Sequence, residues 1–101
     1  MSKKAVERLV RTSISLGEVS YMRNHARSEL EGQRTYVNYL KRWSGKRYAE
    51  SLDEEGRKLM KRQERDAQKR VEELANYYEK LARQVWRLQT SIQKTRQQLT
   101  G

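Results

Sequence analysis

Between Ala67 and Leu99 the chain reads AQKRVEELANYYEKLARQVWRLQTSIQKTRQQL. Its apolar residues recur at alternating intervals of three and four: Ala67, Val71, Leu74, Tyr78, Leu81, Val85, Leu88, Ile92 and Leu99, with Thr95 as the one polar member. In a helix this spacing lays one stripe along one face, the signature of a coiled coil. Met60, Ala67, Leu74, Leu81, Leu88 and Thr95 take heptad position d; Val71, Tyr78, Val85, Ile92 and Leu99 take position a. Val71, Leu74, Tyr78, Leu81, Val85, Leu88 and Ile92 are therefore expected to form a helix-packing seam. Gly56 and Glu64 weaken it at its N-terminal end.

The positions beside the seam carry little charge. Ala75, Ala82 and Gln89 stand at e; Tyr77, Gln84 and Ser91 stand at g. A solvent-bathed dimer usually sets opposite charges there to choose its partner. Neutral flanks predict burial against more than one neighbour: a bundle, a folded-back hairpin or a larger assembly.

Moving towards the N-terminus, Ser51-Leu-Asp-Glu54 reads as a capping box, with Asp53, Glu54 and Glu55 placing negative charge where the helix dipole favours it. One long helix is predicted over about 52–99. Before it, Ser44-Gly45 signals a turn. The expected organisation is a helical N-terminal segment over 1–42, a basic and aromatic turn over 43–51, and a long coiled-coil helix over 52–101.

The N-terminal half repeats the three-four pattern at Ala5, Leu9, Leu16, Val19, Ala26, Leu30, Val37 and Leu40, with Thr12, Arg23 and Gln33 as defects. It could pack back on the C-terminal helix as a hairpin. Thr12-Ser-Ile-Ser-Leu-Gly17 opposes this, because these residues are poor helix formers and alternate as a short strand does. Gly32 is a second expected break. The predicted fold is all-α: an elongated helical hairpin or coiled-coil bundle whose N-terminal half is broken. A strand at 12–16, a helix at 18–31, a turn at Gly32 and a helix at 34–42 would resemble ribbon-helix-helix DNA-binding domains in order. That resemblance implies strand pairing between two chains, with Ser13 and Ser15 facing the major groove. The usual turn residue after the strand is missing here, and the helical reading is kept.

Composition fits a chain that cannot close a compact core. Of 101 residues 35% are hydrophobic and 36% charged, with no Pro, Phe or Cys. Absent Cys excludes disulfides, thiolate metal sites and Cys nucleophiles. No segment approaches the roughly 20 apolar residues of a membrane span, and Glu7, Arg8 and Arg11 interrupt any signal-peptide-like start. The expected location is cytoplasmic, or inside a particle assembled there. His25 is the only His, and the paired carboxylates lie in charged helical runs with expected intrahelical partners such as Glu79–Arg83. No catalytic residue, metal site or cofactor is expected, and the chain reads as non-enzymatic.

Charge carries the functional signal. The formal net charge is +10, a balance that attracts polyanions. Residues 57–70 hold seven Lys or Arg against Glu64 and Asp66. Lys58, Arg62, Arg65 and Lys69 recur as one outward stripe at b and f, and Lys80, Arg83, Arg87 and Lys94 continue an outward basic face. A second cluster, Lys41, Arg42, Trp43, Lys46, Arg47 and Tyr48, mixes cations with aromatics that could stack on unpaired bases. The candidate polyanion-binding residues are that cluster with Arg57, Lys58, Lys61, Arg62, Arg65 and Lys69. The expected function is nucleic-acid binding, mainly through phosphate contacts. The alternative is a structural or assembly subunit of a virion or secretion machine, or an inhibitor-type binder, meeting an acidic protein surface. A homo-oligomer or a subunit of a larger assembly is expected. A membrane partner ranks last, because the apolar faces lack bulky aromatic anchors.

Overall fold

The computed structural model describes residues 3–44 and 50–100. Among the described residues two long helices make the fold: α1, Lys3–Ser44, of 42 residues, and α2, Glu54–Thr100, of 47. Among the described residues there is no strand. The chain is an all-α helical hairpin, as the seam predicted. It divides into two compact units, each built from a piece of both helices. Unit 1 combines residues 1–26 with 77–101, and unit 2 is residues 27–76.

In unit 2, Val37 and Leu40 of α1 form one apolar cluster with Ala67 of α2, and Val71 packs against it. Further along, Tyr39, Leu40 and Trp43 share a groove with Leu59, Met60 and Gln63. As numbers rise on α1 they fall on α2, so the two pieces run antiparallel. Continued by heptads, this register brings Gln33 level with Val71, and Leu30 with Leu74. In unit 1, Arg8 lies beside Ser91, Thr95 and Gln98. The heptads then set Leu9 level with Thr95, Leu16 with Leu88, and Val19 with Val85.

Burial follows the seam on both helices. Along α2 every seam position from Met60 to Leu99 is buried or half-buried, Glu64 included. Along α1 the same holds at Ala5, Leu9, Thr12, Leu16, Val19, Arg23, Ala26, Leu30, Gln33, Val37 and Leu40. The three expected defects are seam members. Thr95, 5% exposed, is satisfied by its own helix, its Oγ1 donating to the Ser91 carbonyl at 2.9 Å. Gln33 is not so served: its Oε1 is buried without a hydrogen-bond partner.

The expected break in the N-terminal half is absent, because α1 runs through Thr12–Gly17 and Gly32 without interruption. No glycine has a positive φ among the described residues. Propensity loses to packing here. A helical Gly costs about 1 kcal/mol against Ala, and Ser or Thr roughly half that; burying one Leu or Val side chain returns ~1.5–3 kcal/mol. Leu9, Leu16, Val19, Ala26 and Leu30 lie along the same stretch. The strand reading of 12–16, and with it the ribbon-helix-helix order, is overturned by the same observation.

The start of α2 is also shifted. Asp53, not Ser51, caps the helix: its Oδ1 accepts the Gly56 N–H at 2.7 Å, satisfying a first-turn donor. Helix α1 ends at Ser44, beside the expected turn. Residues 45–49 of that turn lie outside the described residues.

Two substitutions test this account by thermal unfolding. Gly32→Ala meets nothing within 4 Å and is expected to stabilise by about 0.5–1 kcal/mol. Gln33→Leu removes the orphaned carbonyl from an apolar layer and is expected to gain ~1 kcal/mol or more. A drop in melting temperature for either variant would contradict the continuous helix or the seam placement of Gln33.

Candidate polyanion interface

The basic stripe of α2 is where the heptad placed it. Arg57, Lys58, Lys61, Arg62, Arg65 and Lys69 are all exposed. Lys58 pairs with Glu54 one turn back, Nζ to Oε1 at 3.7 Å, an exposed pair worth less than ~1 kcal/mol. Arg57 turns its Nε to the Leu52 carbonyl at 3.2 Å. Among the described residues, no ion pair engages Lys61, Arg62, Arg65 or Lys69. Among the described residues i,i+4 pairs form at Glu54–Lys58 and Arg27–Glu31, at 3.7 and 3.3 Å, and the expected Glu79–Arg83 pair does not.

Folding joins two clusters that are separate along the chain. Lys41 of α1 lines one cleft with Lys61, Glu64, Arg65 and Gln68 of α2. On α1 the three-four spacing sets Leu9, Leu16, Leu30 and Val37 at a and Val19, Ala26 and Leu40 at d, so Lys41 is an e residue like Lys61 and Gln68, and in an antiparallel pair the e positions of both helices border one side. Three cations thus converge on one acid, Glu64. On the opposite side Tyr39, Leu40, Trp43, Leu52, Gly56, Leu59, Met60 and Gln63 line an apolar groove of about 450 Å³. Tyr39 and Trp43 meet there edge to face, ring centres 5.9 Å apart and planes at 61°. Trp43 is 39% exposed, and Arg42 is exposed beside it. Lys46, Arg47 and Tyr48 lie outside the described residues.

Unit 1 holds a basic cleft that sequence reasoning assembles only in part. Arg87 and Lys94 of the outward face are joined by Arg8 of α1, with Thr90, Ser91, Thr95 and Gln98 around them and no carboxylate. Arg8 carries no signal in the sequence, because its position depends on which way α1 runs against α2.

Among the described residues no three His, Asp or Glu side chains gather as metal ligands. No described helix is long and apolar enough to cross a membrane. Compared with protein families, curated proteins and solved structures, the chain matches none.

Because Arg62, Arg65 and Lys69 engage in no ion pair among the described residues, neutralising them should not weaken the fold. Arg62→Gln, Arg65→Gln and Lys69→Gln are each expected to change stability by less than about 0.5 kcal/mol. At roughly 10 mM salt, where like-charge repulsion is least screened, melting temperatures should rise slightly rather than fall.

Proposed function

We propose that this chain is a non-enzymatic nucleic-acid-binding protein that grips the phosphate backbone through unit 2. The observation that carries the reading is the meeting of Lys41 with Lys61 and Arg65 in one cleft, beside exposed Arg62 and Lys69, which form no ion pair among the described residues. Exposed cations held at fixed spacing on a rigid helix suit a polyanion with a regular charge repeat. Lys58 to Lys69 covers roughly 16 Å at the helical rise, and duplex DNA carries one phosphate charge per ~1.7 Å of axis. Phosphate contacts of this kind position a protein without reading sequence. The proposed setting is the cytoplasm or a particle assembled there.

A second reading, an assembly subunit, is favoured by one observation: Trp86 stands at position b, 66% exposed, away from the seam. A large outward aromatic within an exposed apolar patch marks a contact surface. In that reading the basic clefts meet an acidic protein surface.

Fluorescence anisotropy of labelled duplex and single-stranded oligonucleotides, titrated at several salt concentrations, separates the two. Binding whose logarithm falls linearly with log salt is expected. The combined Arg62→Glu, Arg65→Glu, Lys69→Glu variant should lower the slope by about 0.9 for each duplex phosphate it no longer neutralises. Absence of binding at roughly 50 mM salt, where phosphate binding is strong, would leave the assembly reading.

A further inference from the structure

Unit 1 has two unlike sides. Its g flank is the basic cleft of Arg8, Arg87 and Lys94. Its e flank carries no charge across two heptads: from residue 10 to 21 the b, e and f positions of α1 are Val10, Ser13, Ile14, Gly17, Ser20 and Tyr21, while exposed Arg11 and Glu18 stand at c, turned towards the other side. On α2 the e and b positions beside them are Ala82, Trp86 and Gln89. In a chain with 36% charged residues, such a neutral surface is an exception. It is also apolar and uncovered: Ile14 is 60% exposed, Tyr21 73% and Trp86 66%.

We infer that this face docks a second copy of the same chain, and that the contact is reciprocal: Trp86 of each copy lies over Gly17 of the other. Three observations lead there. The first is shape. A Cβ built on Gly17 would find nothing within 4 Å, so the backbone there is an open notch, flanked by the small side chains of Ser13 and Ser20. Trp86 is the large projection on the same face.

The second observation is register. With Leu16 level with Leu88 and Val19 with Val85, Gly17 and Trp86 fall in one layer, side by side on α1 and α2. A two-fold axis parallel to the helices at that layer turns each Trp86 onto the opposite Gly17. Projection and notch are then matched twice by one operation, which is what an isologous interface requires. The four helix segments form a bundle in which adjacent helices run antiparallel.

The third observation is charge and area. Two molecules of net charge +10 repel wherever charged faces meet, so a copy of this chain is admitted best across a face without charge. In unit 2 the same heptad flank carries Arg27, Arg34, Lys41 and Lys61, which confines pairing to unit 1 and leaves the Lys41 cleft free. An aromatic side chain buries roughly 150–250 Å². Two Trp86 and two Tyr21, each about two-thirds exposed, contribute on the order of 500 Å². Val10, Ile14 and the surrounding Ser and Gln side chains carry the total towards the ~1,200 Å² at which specific interfaces begin.

Sedimentation equilibrium of the full chain over roughly 5–200 µM, the range of a weak dimer, without nucleic acid, tests this apart from the phosphate reading. The expected result is a mass twice that of one chain at the upper end. Gly17→Gln fills the notch with a better helix former, and Trp86→Ala removes the projection from an exposed site. Each should keep the helix content by circular dichroism and raise the dimer dissociation constant at least tenfold. The Trp43→Phe variant leaves Trp86 as the sole tryptophan. Its emission should move to shorter wavelength, and its quenching by acrylamide should fall, as concentration rises. A monomer at every concentration, or a dimer that tolerates both substitutions, overturns the inference.

Discussion

Burial along one thin line between two helices sustains everything else in this molecule. The seam positions of α1 and α2 follow the same three-four alternation and come level pair by pair. Among the described residues only Ala26, Leu30, Val37, Leu40, Ala67, Leu81, Val85 and Ile92 reach full burial as apolar core. A core one side chain deep leaves no redundancy. Helices of 42 and 47 residues persist in a chain this polar because propensity along most of α2 needs little help, and because each turn of α1 adds another layer to the seam. Every other feature, including the placement of the cations, is referred to that line.

Helix α2 is almost fully legible in the sequence, because its periodicity is unbroken and its polar residues are strong helix formers. The three-four spacing specifies both that a helix forms and which residues face inward. The N-terminal half is harder to read for a definite reason. Thr12, Arg23 and Gln33 interrupt the apolar pattern, while Gly17 and Gly32 argue against a helix locally. Only the presence of α2 alongside makes the continuous helix favourable, and a local reading cannot weigh a neighbour whose orientation is not yet known. Thr95 illustrates the same limit on a smaller scale. It is polar by type, yet its hydroxyl donates to the Ser91 carbonyl within the helix, so it occupies a core layer without an unmet hydrogen bond.

The candidate site divides along the same boundary. The stripe from Arg57 to Lys69 lies on one helix and is legible from spacing alone. That Lys41 joins Lys61 and Arg65, and that Arg8 joins Arg87 and Lys94, follows from the antiparallel register, which no single-helix pattern contains. The cap moves from Ser51 to Asp53 because the two residues offer similar acceptors within one turn, and the Gly56 N–H is reached by the Asp53 carboxylate. Register thus decides which charges meet, and sequence spacing decides only which charges share a helix.

These two levels are linked thermodynamically. The convergent cations are close to one another only while the seam is formed; in the unfolded chain they separate. Their repulsion therefore opposes folding, weakly, since near the surface two unit charges at roughly 4 Å cost about 1 kcal/mol in water-like surroundings and a few times more where the dielectric is lower. A polyanion that seats among them binds the folded form in preference to the unfolded one, and any such ligand stabilises by RT ln(1 + [L]/Kd). It also removes the repulsion that the bare hairpin carries. The seam and the basic clefts are thus two halves of one equilibrium. A core this thin tolerates so much charge of one sign because the charge is held outside it, on flanks where solvent screens it until a partner neutralises it.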